Sequence, residues 1–370
     1  YPSLTACPAD ITTCNPVVSW TAPTATDNCS ATVSSNYAPG STFKIPTAFA
    51  GVLARIQGNH YNCNGSVTYG NKAMQCWIQR QSGGSHGSLD LSDAIMRSCN
   101  CFFYQYGNAA GIELMGKAGH MLSVGEKTGI ELEDEDPGVL PTREWMQLHR
   151  PNENWRSNGL MANTSIGQGY VLATPLQMAS VAATVANSGR SLRPHLLKKV
   201  MEGQQVVHEE PADVRSDLAA EGINPKDIEL IRRGMWKVVN AQGGTGKAAQ
   251  IPEIPGTEVA GKTGTAQFWR RVNGGKVVDN HTWFITFAPY EAPRFAICIL
   301  LQGGKSGGSC AAPVAKRIMS QALALDQGYQ VAIGPMTEVQ GDFRPTEAVV
   351  FADDPLAGKI AAAVEDGDTG

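Results

Sequence analysis

The sequence predicts a mixed fold of the α/β (α+β) class, built on an antiparallel central sheet. Three observations carry this expectation. Apolar, β-rich runs at 259–269, 282–288 and 294–301 follow one another across short turns, the first marked by Asn273-Gly274, and strands joined this closely pair antiparallel. Amphipathic helices with explicit start signals precede those strands, and one more follows them. The 40 glycines and 21 prolines among 370 residues demand more turns than a helical bundle uses.

In chain order, residues 4–40 stand apart, rich in Thr, Ser, Ala, Pro and Asn. Val17-Val18-Ser19-Trp20, Thr21-Ala22-Pro23 and Asp27-Asn28 read as short strands separated by turns. From 44 to 56 a helix is expected, with Phe43, Phe49, Leu53 and Ile56 at helical spacing and Pro46 in the first turn, where its missing N–H is tolerated. A second helical stretch covers 89–97. Thr174-Pro175-Leu176-Gln177 is a capping box with Pro at the first helical position; its helix has the stripe Leu176, Met178, Ala179, Ala182 and Val185, and Gly189 stops it. Asn224-Pro225 opens another, carrying Ile228, Ile231, Met235 and Val239. A helix at 311–325 covers the sheet, and 331–370 reads as a flexible acidic tail.

Composition narrows the function. A net charge of −4 with only 17% charged residues speaks against a nucleic-acid partner, and 42% hydrophobic residues are enough for a core. No run of 18 apolar residues occurs, so the chain as given is not expected to span a membrane, and its start at Tyr1 reads as that of a fragment. Nine cysteines, seven of them before residue 102, are too few for a disulfide-built scaffold. Cys298, inside an apolar run, reads as a buried strand residue.

The chemistry starts at Ser41-Thr42-Phe43-Lys44, where a helix begins after Ala38-Pro39-Gly40. Side chains at i and i+3 share a helix face with Cβ atoms roughly 5–6 Å apart, so a Lys amine can reach a Ser hydroxyl and take its proton. Ser98-Cys99-Asn100 closes the helical stretch ending at Arg97, and Lys262-Thr263-Gly264-Thr265 lies on a strand. There Lys262 and Gly264 face one side and Thr263 and Thr265 the other, and Gly264 lets a substrate approach the backbone. Ser-x-x-Lys, Ser-x-Asn and Lys-Thr-Gly in this order form the joint signature of penicillin-binding proteins and serine β-lactamases. Two other patterns fail. Gly243-Gly244-Thr245-Gly246-Lys247 lacks the first Gly and the final Ser or Thr of a phosphate loop, and His86, His120, His149, His195 and His208 show no spacing that suggests a triad.

Residues 37–325 resemble the transpeptidase domain of class B penicillin-binding proteins, nearest to the elongation-type penicillin-binding protein 2. Beyond the three motifs, the matching text includes Pro141-Thr142-Arg143-Glu144-Trp145, Ile166-Gly167-Gln168-Gly169-Tyr170 and His281-Thr282-Trp283-Phe284. Residues 4–40 also resemble part of a hyalin repeat, an extracellular β-sandwich module, in Cys7-Pro8-Ala9-Asp10, Val18-Ser19-Trp20-Thr21-Ala22-Pro23 and Asp27-Asn28-Cys29. Together these imply a partial hyalin-repeat-like segment at 1–40, a transpeptidase domain at 41–330 and the tail. The implied fold is that of penicillin-binding proteins and serine β-lactamases, a central antiparallel sheet with helices on both faces plus a helical lobe. The family's membrane anchor, pedestal domain and first sheet strand are not expected in this chain.

What the resemblance implies for function is a peptidoglycan D,D-transpeptidase on the periplasmic or extracytoplasmic face of the inner membrane. Ser41 is the expected nucleophile and Lys44 its base; Ser98 relays a proton and Asn100 binds the peptide backbone. Lys262 adds positive potential, Thr263 and Thr265 bind the terminal carboxylate, and the N–H groups of Ser41 and Thr265 form the oxyanion hole. Expected partners are stem peptides, β-lactams and a membrane glycan polymerase. Catalysis needs no cofactor. A β-lactamase or β-lactam sensor, and an extracellular adhesion module with an inert enzyme half, are the alternatives.

Cys63, Cys76, His86 and Cys99 leave two readings open. Three thiolates and an imidazole suit a structural zinc, and some elongation-type relatives carry a metal near the corresponding place. The other reading is a Cys63–Cys76 disulfide with Cys99 buried.

Overall fold

Strand Ala260–Val272 carries Lys262 and pairs antiparallel with Gly275–Ala288, which pairs in turn with Phe295–Gln302. The computed structural model describes residues 36–328 apart from 133, 255, 273 and 274, together with two dipeptides, Ser3–Leu4 and Ala25–Thr26, that pair antiparallel with each other. The Asn273-Gly274 turn, most of the hyalin-like stretch and the tail at 331–370 lie outside the described residues. The middle strand starts seven residues before its expected position. Asp279 and Asn280 break the apolar pattern there, yet the backbone pairs without interruption from Val272 opposite Gly275 to Ala260 opposite Phe287.

Helix Pro225–Asn240 packs on the Lys262 strand, while Pro175–Ala186 and Ala312–Asp326 pack on the other two. Both helices that open with Pro are capped as the sequence suggests. Thr174 and Gln177 bond reciprocally at 3.1 and 2.9 Å, and the Asn224 side chain accepts from the Lys226 N–H at 2.9 Å. Ile228, Ile231, Met235 and Val239 are all buried. The face of Pro175–Ala186 is rotated from expectation: Val181 is buried, whereas Leu176 and Ala179 are half-buried, because the capping box draws Gln177 inward.

A second group of helices, Leu91–Met96, Asn100–Ala110 and Ile112–Met121, packs around Lys44–Leu53 and forms the helical lobe, with Asn158–Ser165 against Asn100–Ala110. Lys44–Leu53 is shorter than expected. Arg55 adopts φ +60°, and its N–H and that of Ile56 return to the carbonyls of Val52 and Gly51, a Schellman ending. The stretch expected as a helix at 89–97 begins instead with strand Gly87–Leu89, and Asp90 caps the helix by accepting from the Asp93 N–H. Helix Asn100–Ala110 is anchored by Phe102, Phe103 and Tyr106, all wholly buried, with Phe102 stacked on Tyr106 at 5.2 Å. Burying each Phe stabilises the lobe by about 1.5–3 kcal/mol. That packing fixes Asn100, the first residue of the helix.

Candidate active site

Ser41 does not begin the α-helix, as expected, but sits in a single 3₁₀ turn, Gly40–Phe43, that runs into Lys44–Leu53. Close packing on two sides explains the turn. Gly40 has φ +54°, and a Cβ on it would stand 2.7 Å from the Thr265 carbonyl oxygen; a Cβ on Gly167 would stand 2.2 Å from the Gly40 oxygen. The Gly40 N–H donates to the Gly167 carbonyl at 2.9 Å, and the Trp283 indole N–H donates to the Ala38 carbonyl at 3.0 Å. The serine turn is therefore wedged between the Lys262 strand and the loop of Gly167. On that strand Gly264 serves the same approach, since a Cβ there would meet the Pro39 oxygen at 2.9 Å.

Lys44 is wholly buried, and its Nζ donates to the Ser98 carbonyl at 2.8 Å, to Asn100 Oδ1 at 2.7 Å and to Ser98 Oγ at 3.2 Å. Lys262, also wholly buried, donates to Ser98 Oγ at 2.8 Å and to the Thr263 carbonyl at 2.9 Å. The Ser98 hydroxyl thus stands between two amines. Among the described residues the Ser41 hydroxyl takes no hydrogen bond, so the expected Lys44–Ser41 contact is replaced by contacts to Ser98 and Asn100. Three polar oxygens converge there and hold the buried amine without a carboxylate.

Burial has an electrostatic consequence. It lowers Lys44 to about 8, against the opposing pull of Cys76, Cys99 and Cys101. Lys262 lies well below the usual lysine range, first through burial and then through the charge of Lys44. Neither lysine has an acidic partner among the described residues. An amine that loses its proton near neutrality is what proton abstraction from a serine requires.

Ser98 adopts φ +51°, and Cys99 caps the next helix, its sulfur accepting from the Phe102 N–H at 3.4 Å. Cys99 points away from the lysines into a cluster with Cys63, Cys76 and His86. Hairpin strands Ser66–Tyr69 and Lys72–Gln75 separate Cys63 from Cys76, while Tyr61–Cys63 pairs with Gly87–Leu89 and so brings His86 beside them. The four donor atoms lie within 4.8 Å of one another. His86 Nδ1 is 3.7 Å from Cys63 Sγ and 3.5 Å from Cys76 Sγ, and Cys76 Sγ is 3.9 Å from Cys99 Sγ. Tetrahedral zinc, with Zn–S near 2.3 Å and Zn–N near 2.0–2.1 Å, sets its ligand atoms roughly 3.5–3.8 Å apart. The donor set fits that ion. Cys63 and Cys76 are free thiols, so the disulfide reading is not what the structure shows. Cys298 is half-buried rather than buried, on the outer strand.

Two features were not legible as motifs. Thr245, in the sequence that mimics a phosphate loop, places its hydroxyl 2.8 Å from that of Thr263. The Gly307 N–H, on a π-turn before the last helix, donates to Thr265 Oγ1 at 3.3 Å. Both threonines of the strand are thus held from segments far away in sequence, and only a cluster of glycines hinted at the first. No histidine bonds Ser41, and no helix is long and apolar enough to cross a membrane, among the described residues.

The family model described as "Penicillin binding protein transpeptidase domain" matches residues 15–320, reaching back into the segment that resembles a hyalin repeat. The chain is similar to the peptidoglycan D,D-transpeptidase MrdA of Haemophilus influenzae, with 34% identity over 263 residues, 67% of this chain and 39% of the relative. It spans about two fifths of that relative's length. Among solved structures, penicillin-binding protein 2 of Pseudomonas aeruginosa in complex with WCK 5153 aligns with a TM-score of 0.65 and 29% identity, covering 81% of this chain and 62% of that one. The complex of penicillin-binding protein 2 and MreC from Helicobacter pylori gives a TM-score of 0.63 and 28% identity, over 80% and 50%.

Proposed function

Because the chain belongs to the penicillin-binding protein transpeptidase family, we propose that it is the catalytic part of an elongation-type peptidoglycan D,D-transpeptidase. The observation that carries this reading is the Ser98 hydroxyl held between Lys262 and Lys44, the latter one turn along from Ser41. The relative from Haemophilus influenzae is named a peptidoglycan D,D-transpeptidase, which favours this over the β-lactamase and adhesion readings.

In the proposed reaction neutral Lys44 takes the Ser41 hydroxyl proton while the oxygen attacks the carbonyl between two D-Ala residues of a stem peptide. The N–H groups of Ser41 and Thr265 hold the oxyanion. The C–N bond breaks, and the departing amine takes a proton relayed through Ser98, which touches both lysines. Asn100 holds the peptide backbone, Thr263 and Thr265 hold the terminal carboxylate, and Lys262 adds positive potential. An amine of a second strand then attacks the acyl-serine and regenerates Ser41. β-Lactams would acylate the same oxygen. The strand Ala260–Val272 supports this binding mode: among the described residues it is paired on one side only, so an extended peptide can add along its other edge.

Cys63, Cys76, His86 and Cys99 would hold a structural zinc, which supplies no chemistry but ties the Ser66–Gln75 hairpin to the Ser98–Asn100 loop. The proposal also places the catalytic segment on the extracytoplasmic face, with a glycan polymerase as partner, and retains 41–330 as the domain. Intact mass after incubation with benzylpenicillin tests the function: one penicilloyl adduct on Ser41 is expected, and none on Ser41→Ala. Labelling that persists in the variant would overturn the assignment.

A further inference from the structure

The thiol cluster lies directly behind the residues to which catalytic roles are proposed, and a fourth cysteine lies beside its three. Cys101, next along the chain from Asn100, is also buried and interacts with Cys76. Cys76 and Cys99 have their sulfurs 3.9 Å apart. A disulfide needs about 2.05 Å, so closure asks for an approach of roughly 1.9 Å, within reach of side-chain rotation and a small loop shift.

Cys99 is the hinge of that loop. Its flanking residues, Ser98 and Asn100, receive the Lys44 amine, its own sulfur caps helix Asn100–Ala110, and Ser98 already sits at φ +51°. Drawing the Cys99 sulfur toward Cys76 removes the cap and moves both neighbours. Access runs through His86, the half-buried ligand, which lies on a loop whose flanking Gly83 and Gly87 both have φ +70°. With an ion bound, all three sulfurs are coordinated and the imidazole closes the site. Without it, the imidazole is the one donor of the four that is not wholly buried.

From this geometry we propose that Cys76 and Cys99 form an oxidation site: in the metal-free protein a peroxide closes them into a disulfide that displaces the Ser98–Asn100 loop and slows acylation of Ser41. This rests on the transpeptidase reading above. The step balances. One thiolate attacks the peroxide, breaking its O–O bond and leaving a sulfenic acid and hydroxide, which takes up a proton to become water. The second thiol then attacks that sulfur, forming the S–S bond and releasing a second water, so two electrons pass from the two sulfurs to one peroxide. Zinc occupancy and oxidation exclude each other, because each uses the same sulfurs.

The test treats the protein with a chelator, then with hydrogen peroxide, and follows intact mass, disulfide-mapped peptides and the rate of labelling by a fluorescent penicillin. The expected result is a loss of about two mass units from one S–S bond, mapped to Cys76–Cys99. A fall in labelling rate of at least tenfold should accompany it, since a displacement near 1 Å at a reacting group costs up to ~10²-fold, and a dithiol should reverse both. Protein kept with zinc should resist. Cys101→Ala should still form the same bond. Cys99→Ser should remove the mapped bond, and whatever labelling rate it retains should be insensitive to peroxide. A bond mapped to Cys63–Cys76 or Cys76–Cys101, no mass loss, or oxidised protein that labels as fast as reduced protein would overturn the proposal. Reduced, metal-free protein that does not label at all would instead count against the transpeptidase reading.

Discussion

One tripeptide, Ser98-Cys99-Asn100, faces two unlike environments. On one side two lysines with no acidic partner among the described residues share the Ser98 hydroxyl, both wholly buried. On the other, three thiols and an imidazole surround a space the size of one divalent ion. The alternation of side chains across three residues makes both possible at once, with the middle residue turned away from its neighbours. Positive charge is made reactive by burial on the first side and would be absorbed by thiolates on the second. The Ser98–Asn100 loop is thus positioned from behind, through Cys99, as well as from the lobe helices.

The largest expected effect breaks the lysine side. Lys44→Met should lower the second-order rate of penicillin acylation by about 10²–10⁴-fold, the usual range for loss of a general base, measured with a fluorescent penicillin. A loss below tenfold would move the base elsewhere. In the unaltered protein the same rate should rise with pH. The neutral amine is the active form, and its fraction grows as pH climbs through about 8, the value to which burial lowers Lys44. Below that value the rate should change about tenfold per pH unit, and a profile flat from pH 6 to 9 would contradict it.

Removing the metal addresses the thiol side. Protein purified without chelator should contain one zinc per chain by elemental analysis. At a zinc concentration about 100 times its dissociation constant the ion adds about 2.7 kcal/mol, so stripping it should lower Tm by roughly 5–10 °C. Unchanged Tm with no zinc would leave the thiols as core residues. The smallest effect is a control at a residue whose side chain bonds neither the lysines nor the thiols. Thr174→Ala removes the capping box at a cost of about 1 kcal/mol, which should lower Tm by roughly 2–4 °C and leave the acylation rate alone. A matching fall in acylation would mean that the loop is not positioned locally.

Much of the site was legible because its parts are local in sequence. Ser41 and Lys44 are one turn apart, Ser98 and Asn100 flank one residue, and Lys262 to Thr265 lie on one strand. The misreadings share a cause. The helix expected over 44–56 ends at Leu53 because a non-glycine residue, Arg55, takes the left-handed conformation that normally signals a stop through Gly. The middle strand exceeds its expected length because backbone pairing continues where apolar alternation ends. Thr245 carries no local signal, since its partner Thr263 lies 18 residues away.

The motif order, the two Pro-opened helices with their caps and the order of the three strands were readable from the sequence alone. These depend on hydrogen bonds and side-chain spacing within a few residues, which any copy of the text carries with it. Only the tertiary structure decided that Lys44 turns to Ser98 and Asn100 and not to Ser41, that Lys262 reaches Ser98 across 164 residues, and that Cys63 and Cys76 are thiols beside Cys99. Both lysines owe their lowered affinity for protons to burial, and burial is a property of every segment packed around a group. No spacing along the chain encodes it.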